Sequence, residues 1–119
     1  MVFEQSTQHG KILIADEVIA VLAGSAALEC YGLVGMASRH SFKDGISDLL
    51  GRENLSKGVE VRQEAGSLQI DLYIVVSYGT KISEVAHNVQ SKVRYVMNDV
   101  AGIQVDQVNI IVQGVRVLK

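Results

Sequence analysis

A change of hydrophobic period in the second half of the chain constrains the fold most. Between positions 68 and 78, apolar residues occupy every second position, the spacing of a β-strand with one buried face. From Thr80 to Val100 they recur at steps of three and four, the stripe of a helix lying on a core, and Gly102 is placed to end that helix. The pattern predicts a long strand followed directly by a long amphipathic helix. The apolar positions are Leu68, Ile70, Leu72, Ile74, Val76 and Tyr78 in the strand, and Ile82, Val85, Ala86, Val89, Val93, Val96, Met97 and Val100 in the helix.

A second strand and helix are predicted nearer the start. Lys11–Ala15 is a β-like run, and Asp16 offers an N-cap acceptor for a helix that continues to about Glu29. Gly32 is a plausible C-cap residue, and the next short strand runs from Leu33 to Ser38. Small residues in the helix predict close approach to a neighbouring element. They are Ala20, Ala23, Gly24, Ser25, Ala26 and Ala27.

The connection Arg39–Lys57 has mixed charge and few apolar residues. A short helix from Asp44 to Leu50 is predicted there, with Leu49 among its inward residues. After it, a strand with Val59 and Val61 inward leads to a hairpin-length connection, which predicts antiparallel pairing with the long strand.

The final run changes register twice. Ile103 and Val105 share one parity, and Val108, Ile110 and Val112 share the other. Val115 and Val117 then return to the first parity. A bend near Asp106 and a bulge at Gly114 would reconcile the two.

The element order predicts an α+β fold. It is β-α-β-α-β-β-α-β, which gives a two-layer α/β sandwich with both long helices on one face of a mixed sheet. At 119 residues, 48% of them apolar and 20% charged, the chain is expected to form one domain over positions 1–119.

Composition favours some functions over others. A net charge of −2 argues against a protein that works by neutralising phosphates, so nucleic-acid binding is not favoured. The N-terminus does not resemble a signal peptide, and the longest apolar stretch, Val18 to Leu28, is too short to span a membrane. A cytoplasmic protein with no transmembrane segment is expected. The single Cys30 fits a reducing compartment.

No catalytic or metal-binding group is apparent. Cys30 lies on the helix stripe and is interpreted as a small core residue rather than a nucleophile. His9, His40 and His87 stand in three unrelated segments, and no metal site is predicted from them. Neither a cofactor nor an enzymatic activity is therefore expected.

Two further motifs have plain structural interpretations. Asp44 and Asp48 share one helical face and are best read as solvated carboxylates. Gly32-Leu-Val-Gly35 matches the GXXG pattern of nucleic-acid-binding KH loops, but a strand follows it and its middle residues are apolar. A turn after a helix explains it better.

Five segments stand out by their order and spacing: Gly10–Ala20, Tyr31–Met36, Lys57–Val61, Tyr73–Ile82 and Val105–Val115. Taken in order, these segments resemble the bacterial alkaline-shock-protein family, most closely its short YloU-like branch. The resemblance extends from Gly10 to Val117 and implies a non-enzymatic cytoplasmic protein of Gram-positive bacteria, linked to stress and, through partner proteins, to the cell envelope.

Two interaction sites are predicted. Tyr73, Val75 and Ile111 are apolar on the sheet face opposite the helices, where water-facing residues are expected, and so form a candidate surface for a homo-oligomer or a protein partner. The alternative is that Arg39–Lys57 folds over them. A candidate partner loop, for which a solvated loop is the plainer interpretation, consists of Arg39, His40, Phe42 and Lys43.

Three functions follow from these observations. The first is a self-associating or partner-binding scaffold tied to envelope stress, with membrane association only through a partner. The others are an accessory subunit that regulates a metabolic enzyme and an RNA-binding module.

Overall fold

The computed structural model describes residues 2–38, 49, 52–64 and 66–117. The described elements form a mixed sheet with two long helices on one face, as predicted, and a separate hairpin at the N-terminus. In chain order they are β1 (Val2–Thr7), β2 (Gly10–Ala15), α1 (Asp16–Leu28), β3 (Leu33–Met36), a 3₁₀ segment (Arg52–Gly58), β4 (Val59–Glu64), β5 (Ser67–Ser77), α2 (Ile82–Val96), a π-helical turn (Met97–Ala101) and β6 (Gln107–Arg116).

Strand β5 organises the sheet because the other three strands all pair with it. β6 runs parallel along one edge, from Gln69 to Ser77 of β5. The other edge is shared. β4 pairs antiparallel with the first half of β5, where Glu60 lies opposite Asp71, and β3 pairs antiparallel with the second half.

The β5–α2–β6 unit forms as the change of period predicts, although Ile82 and Val100, which the pattern placed on the buried stripe, are exposed. Parallel strands need a long crossover, which α2 supplies, and this helix buries Val85, Val89 and Val93. Gly102 follows the π-helical turn with φ of 68° and ends it. Every second β5 side chain from Leu68 to Val76 is at most 3% exposed beneath the helices. Tyr78 lies beyond the strand and is exposed, so its predicted inward position is wrong.

Helix α1 packs closely through its small residues. A Cβ atom added to Gly24 would lie 3.2 Å from Leu55 Cβ of the 3₁₀ segment, which confirms the predicted close approach. The predicted cap is wrong: Ala15 is the N-cap and makes no side-chain capping bond, while Asp16 is the first helical residue. Its carboxylate instead accepts a hydrogen bond from Gln63 Nε2 at 3.3 Å and tethers the start of α1 to β4.

The N-terminal hairpin differs from the prediction in two ways. The sequence pattern predicted no strand before Lys11, and it assigned Lys11–Ala15 to the main sheet. Instead β2 pairs with β1, in a six-pair antiparallel ladder from Val2↔Ala15 to Thr7↔Gly10. Strand β1 is hard to detect because four of its six residues are polar. The molecule is elongated, measuring 54 × 26 × 25 Å.

Most of the predicted helix between Asp44 and Leu50 lies outside the described residues. Leu49 is described, forms an antiparallel bridge with Ala37 and is 39% exposed. Its predicted place as an inward-facing helical residue is therefore wrong.

The bend and bulge of the last strand are confirmed. Val112 lies opposite Ile74 and Gly114 opposite Val75, which leaves Gln113 as the extra residue of a bulge. At the bend, Asp106 is bonded twice to Leu68: its Oδ2 accepts from the Leu68 N–H at 2.7 Å, and its own N–H donates to the Leu68 carbonyl at 2.9 Å.

Candidate interaction surface

One face of the sheet is covered by α1 and α2, and the residues of interest lie on the other. We call this the open face. Alternation along the strands and the observed register place on it Arg62, Gln69, Asp71, Tyr73, Val75, Asn109 and Ile111.

A polar cluster joins three strands at one end of the open face. Asp71 of β5 is 8% exposed, and its Oδ1 accepts hydrogen bonds from Arg62 Nη2 at 3.0 Å and from Asn109 Nδ2 at 2.8 Å. The hydrogen bond and charge of Asp71 raise the pKa of the Arg62 guanidinium, which therefore stays cationic. Among the residues that the structure describes, none provides a hydrogen-bond partner for the buried Arg62 Nε. The cluster fixes the side chains of β4, β5 and β6 relative to each other.

An apolar pair lies beside this cluster. Tyr73 and Ile111 are opposite each other in the parallel ladder, and both are half-buried. Cross-strand pairs of an aromatic and a β-branched residue pack favourably. Two of the three predicted surface residues are thus together and partly accessible.

Val75 is not accessible, and its predicted exposure is wrong. It is 0% exposed although it lies on the open face. Its partner in β3 is Gly35, over which the Leu49 side chain lies, since a Cβ at Gly35 would be 3.1 Å from Leu49 Cδ2. The alternative in which the connection Arg39–Lys57 folds over this face therefore holds at Leu49. The bulge residue Gln113 adds a tie across β5 by donating from Nε2 to the Ser38 carbonyl at 3.3 Å.

The candidate partner loop lies outside the described residues. This applies to all four of its members, Arg39, His40, Phe42 and Lys43, and to the carboxylate pair Asp44 and Asp48.

Cys30 has the features of a packed thiol. It follows α1, is half-buried, and its Sγ lies 3.9 Å from both the Ala26 and Asn88 carbonyl oxygens. Burial raises the pKa of the Cys30 thiol, with Lys92 lowering it and Glu29 raising it further. A raised pKa reduces the thiolate fraction, which is the nucleophilic form.

The other candidate chemical groups are dispersed. His9 lies in the exposed turn of the hairpin and His87 on the exposed side of α2, and His40 is outside the described residues. Within residues 2–38, 49, 52–64 and 66–117, no three His, Cys, Asp or Glu side chains are close enough to hold a metal ion. None of the helices described there has the length and apolar content needed to span a membrane.

The GXXG motif has a packing role, which agrees with the interpretation as a turn. Gly32 has φ of 88°, and a Cβ there would lie 2.7 Å from Val85 Cγ2. Gly35 lies within β3 under Leu49.

A second accessible surface, which the sequence pattern did not predict, lies on the N-terminal hairpin and the adjoining helix. It exposes large apolar side chains that alternation alone did not reveal, because β1 was not recognised. They are Val2 (46%), Ile12 (48%), Leu13 (63%), Val18 (49%) and Val21 (41%).

The fold and its open face define a two-layer α/β domain with a mixed sheet. Residues 4–117 match the alkaline shock protein family, described as having a cell envelope-related function, and the chain belongs to that family. This confirms the resemblance seen in the sequence.

Relatives from two bacteria match the chain along nearly its whole length. It is 60% identical over 117 residues to the uncharacterized protein YloU of Bacillus subtilis (strain 168), with 98% of each chain covered. It is 41% identical over 118 residues to the uncharacterized protein Spy1614 of Streptococcus pyogenes serotype M6, covering 99% of this chain and 98% of the relative. Among solved structures, a MamM CTD superposes with a TM-score of 0.49 at 11% identity, over 88% of this chain and 100% of that chain.

Proposed function

We propose that this chain is a non-catalytic protein-binding module of the cell envelope that engages a protein partner through its open face. The observation that carries the proposal is the Tyr73–Ile111 pair, two half-buried apolar side chains in register beside a polar cluster. A tyrosine packed among apolar neighbours and bordered by polar groups is typical of the residues that dominate protein–protein binding energies.

The polar cluster suits the border of such a contact. Because Asp71 holds Arg62 and Asn109 from two neighbouring strands, these side chains have little rotamer freedom to lose when a partner binds. The bonds also lie within one rigid sheet. A pre-organised border lowers the entropic cost of binding.

The envelope part of the proposal is supported by membership of a family with a cell envelope-related function. We propose that the chain acts in the cytoplasm and reaches the membrane through its partner. Association with stress physiology belongs to the same proposal.

The test is a double variant, Tyr73→Ser with Ile111→Lys. Tagged parent and variant are used to recover partners from the native cell, and recovered proteins are quantified by mass spectrometry. The matched control is Val100→Lys, which places a lysine at a 64% exposed valine in the helix layer. We expect the double variant to lose the partner and the control to retain it. Equal recovery by both, with unchanged circular dichroism, would refute the open face as the binding surface.

The non-catalytic part of the proposal is tested separately. Repurified protein is assayed against generic ester and phosphate substrates. Turnover that survives repurification and disappears on mutation of one polar residue would overturn it.

A further inference from the structure

The N-terminal hairpin, β1 and β2, forms an arm whose outer strand edges are open. Within the described residues its strands pair with each other and with no third strand. A two-stranded hairpin is at best marginally stable in water, and three or more strands are usually required. On the edge of β2 that faces away from β1, no described strand pairs with the backbone, so an added strand can hydrogen-bond there.

The arm carries exposed apolar side chains beyond the residues that pack against the hydrophobic core. At its base, Phe3 and Ile14 lie opposite each other and pack against the core. Ile12 follows on the same face and is 48% exposed, and Leu13 on the other face is 63% exposed. Helix α1, which starts directly after β2, adds exposed Val18 and Val21. Exposed apolar side chains therefore occur both on the arm and on the first turns of α1.

The central three side chains of β2 are symmetric about Leu13, because Ile12 and Ile14 flank it. In an antiparallel pair of two identical strands related by a two-fold axis, opposite residues must point to the same face, so the axis passes through one residue of each strand. With Leu13 on the axis, isoleucine lies opposite isoleucine on one face and leucine opposite leucine on the other. A second copy of the chain can therefore match this edge with like side chains on both faces.

Charge is compatible with the same arrangement. The only charged residue of β2 is Lys11, which would lie opposite Ala15 of the partner subunit. The two Lys11 side chains would be four residues apart along the ladder, about 13 Å, beyond the Debye length at physiological salt. Each Lys11 is already paired with Glu4 of its own arm at 3.1 Å.

We propose that two copies of this chain form a symmetric dimer by antiparallel pairing of their β2 edges about Leu13, giving a four-stranded sheet β1-β2-β2-β1. The dimer deepens the proposed function, on which its biological role rests, while the pairing itself uses the arm and does not involve the open face. One assembly would thus present two open faces.

The first experiment measures mass by sedimentation equilibrium and light scattering. The parent is expected to be a dimer. Leu13→Lys places two lysines opposite each other on the axis and is expected to weaken the dimer by about tenfold or more. Val100→Lys serves as the control and is expected to leave the mass unchanged. A monomeric parent, or a Leu13→Lys variant as dimeric as the parent, overturns the proposal.

The second experiment tests the register, in a Cys30→Ala background. Leu13→Cys brings two thiols directly opposite each other, at a Cα separation of about 4.5–5.5 Å that a disulfide can span. In Lys11→Cys the thiols would be about 13 Å apart, too far for a disulfide. Mild oxidation should cross-link the first variant and leave the second uncross-linked. Equal cross-linking of the two would exclude Leu13 as the axis residue.

The dimer and the open-face site fail in distinguishable ways. Leu13→Lys is expected to become monomeric while recovering the same partner from the native cell. The Tyr73→Ser, Ile111→Lys variant is expected to stay dimeric while losing that partner. A dimeric double variant that keeps its partner refutes only the open-face binding site. A Leu13→Lys variant with the mass of the parent refutes only the pairing of the two β2 edges.

Discussion

Asn109 lies opposite Asp71 in the parallel ladder of β5 and β6, and its side-chain nitrogen donates to Asp71 Oδ1 at 2.8 Å. The two bonded residues are 38 positions apart in sequence and belong to different strands. It also fixes the carboxylate that Arg62 contacts from the other edge of β5.

Replacing Asp71 tests the weight of this cluster. Asp71→Ala is expected to lower the free energy of unfolding by about 1–2 kcal/mol, chiefly through loss of the Asn109 hydrogen bond at a buried acceptor. Urea denaturation provides the measurement. The control is Glu84→Ala, which removes an exposed carboxylate in the first turn of α2 and its ion pair with Lys81 at 3.9 Å, and should have little effect. Equal losses for the two variants would contradict a structural role for the cluster.

Core packing predicts large effects at the helix–sheet interface. Ile74 and Val89 are both 0% exposed. Ile74→Ala should cost about 2–5 kcal/mol through a cavity, and Val89→Asp more, because it buries an unpaired charge. Thermal and urea unfolding measure both. A variant with the stability of the parent would show that its side chain does not belong to the core.

Comparing alanine substitutions at two glycines distinguishes the cost of backbone strain from the cost of a steric clash. Gly32 and Gly79 both have positive φ, 88° and 96°, but only a Cβ at Gly32 meets neighbouring atoms, at 2.7 Å from Val85 Cγ2. Gly79→Ala is expected to cost about 1 kcal/mol in backbone strain, and Gly32→Ala about 1–3 kcal/mol more. Chemical denaturation of both variants gives the difference. If the costs were equal, the contact with Val85 would have no energetic consequence.

The raised pKa of the Cys30 thiol predicts that the stability of the protein depends on pH. Burial raises its folded pKa above the unfolded value, so its contribution is fully present below the unfolded pKa and is lost as the pH rises through the folded pKa. The free energy of unfolding of the parent should therefore fall more between neutral and alkaline pH than that of Cys30→Ala. Parallel slopes for the two proteins would indicate an unperturbed thiol. Alkylation of native Cys30 should likewise be slower than in urea.

The spacing of apolar residues predicted those parts of the fold in which a single segment packs its own apolar face against the core. The β5–α2 succession and the inward faces of Val59 and Ile74 follow from local spacing, and both were confirmed. The bulge before Gly114 was also predictable, since only an extra residue reconciles two parities on one buried face.

Features that depend on distant chain segments were not predictable in the same way. Alternation predicts that Val75 is exposed. It gives no sign that Leu49, 26 positions earlier in the sequence, lies over Gly35, the residue paired with Val75. The Asp71–Asn109 bond requires the register of a parallel pair, which no turn fixes. Strand β1 was missed because a pairing between Glu4 and Leu13, one polar and one apolar, leaves no alternating pattern on either strand.

The central position of strand β5 has a consequence for how the domain unfolds. Two strand–helix–strand halves suggest units that open one after the other, but β3, β4 and β6 all bond to this single strand. Strand β3 belongs to the first half but pairs with β5 of the second, so cutting the chain between the halves would separate β3 from this partner. The β5 amides should exchange with solvent only when the whole domain unfolds, whereas those of the arm can exchange during local opening.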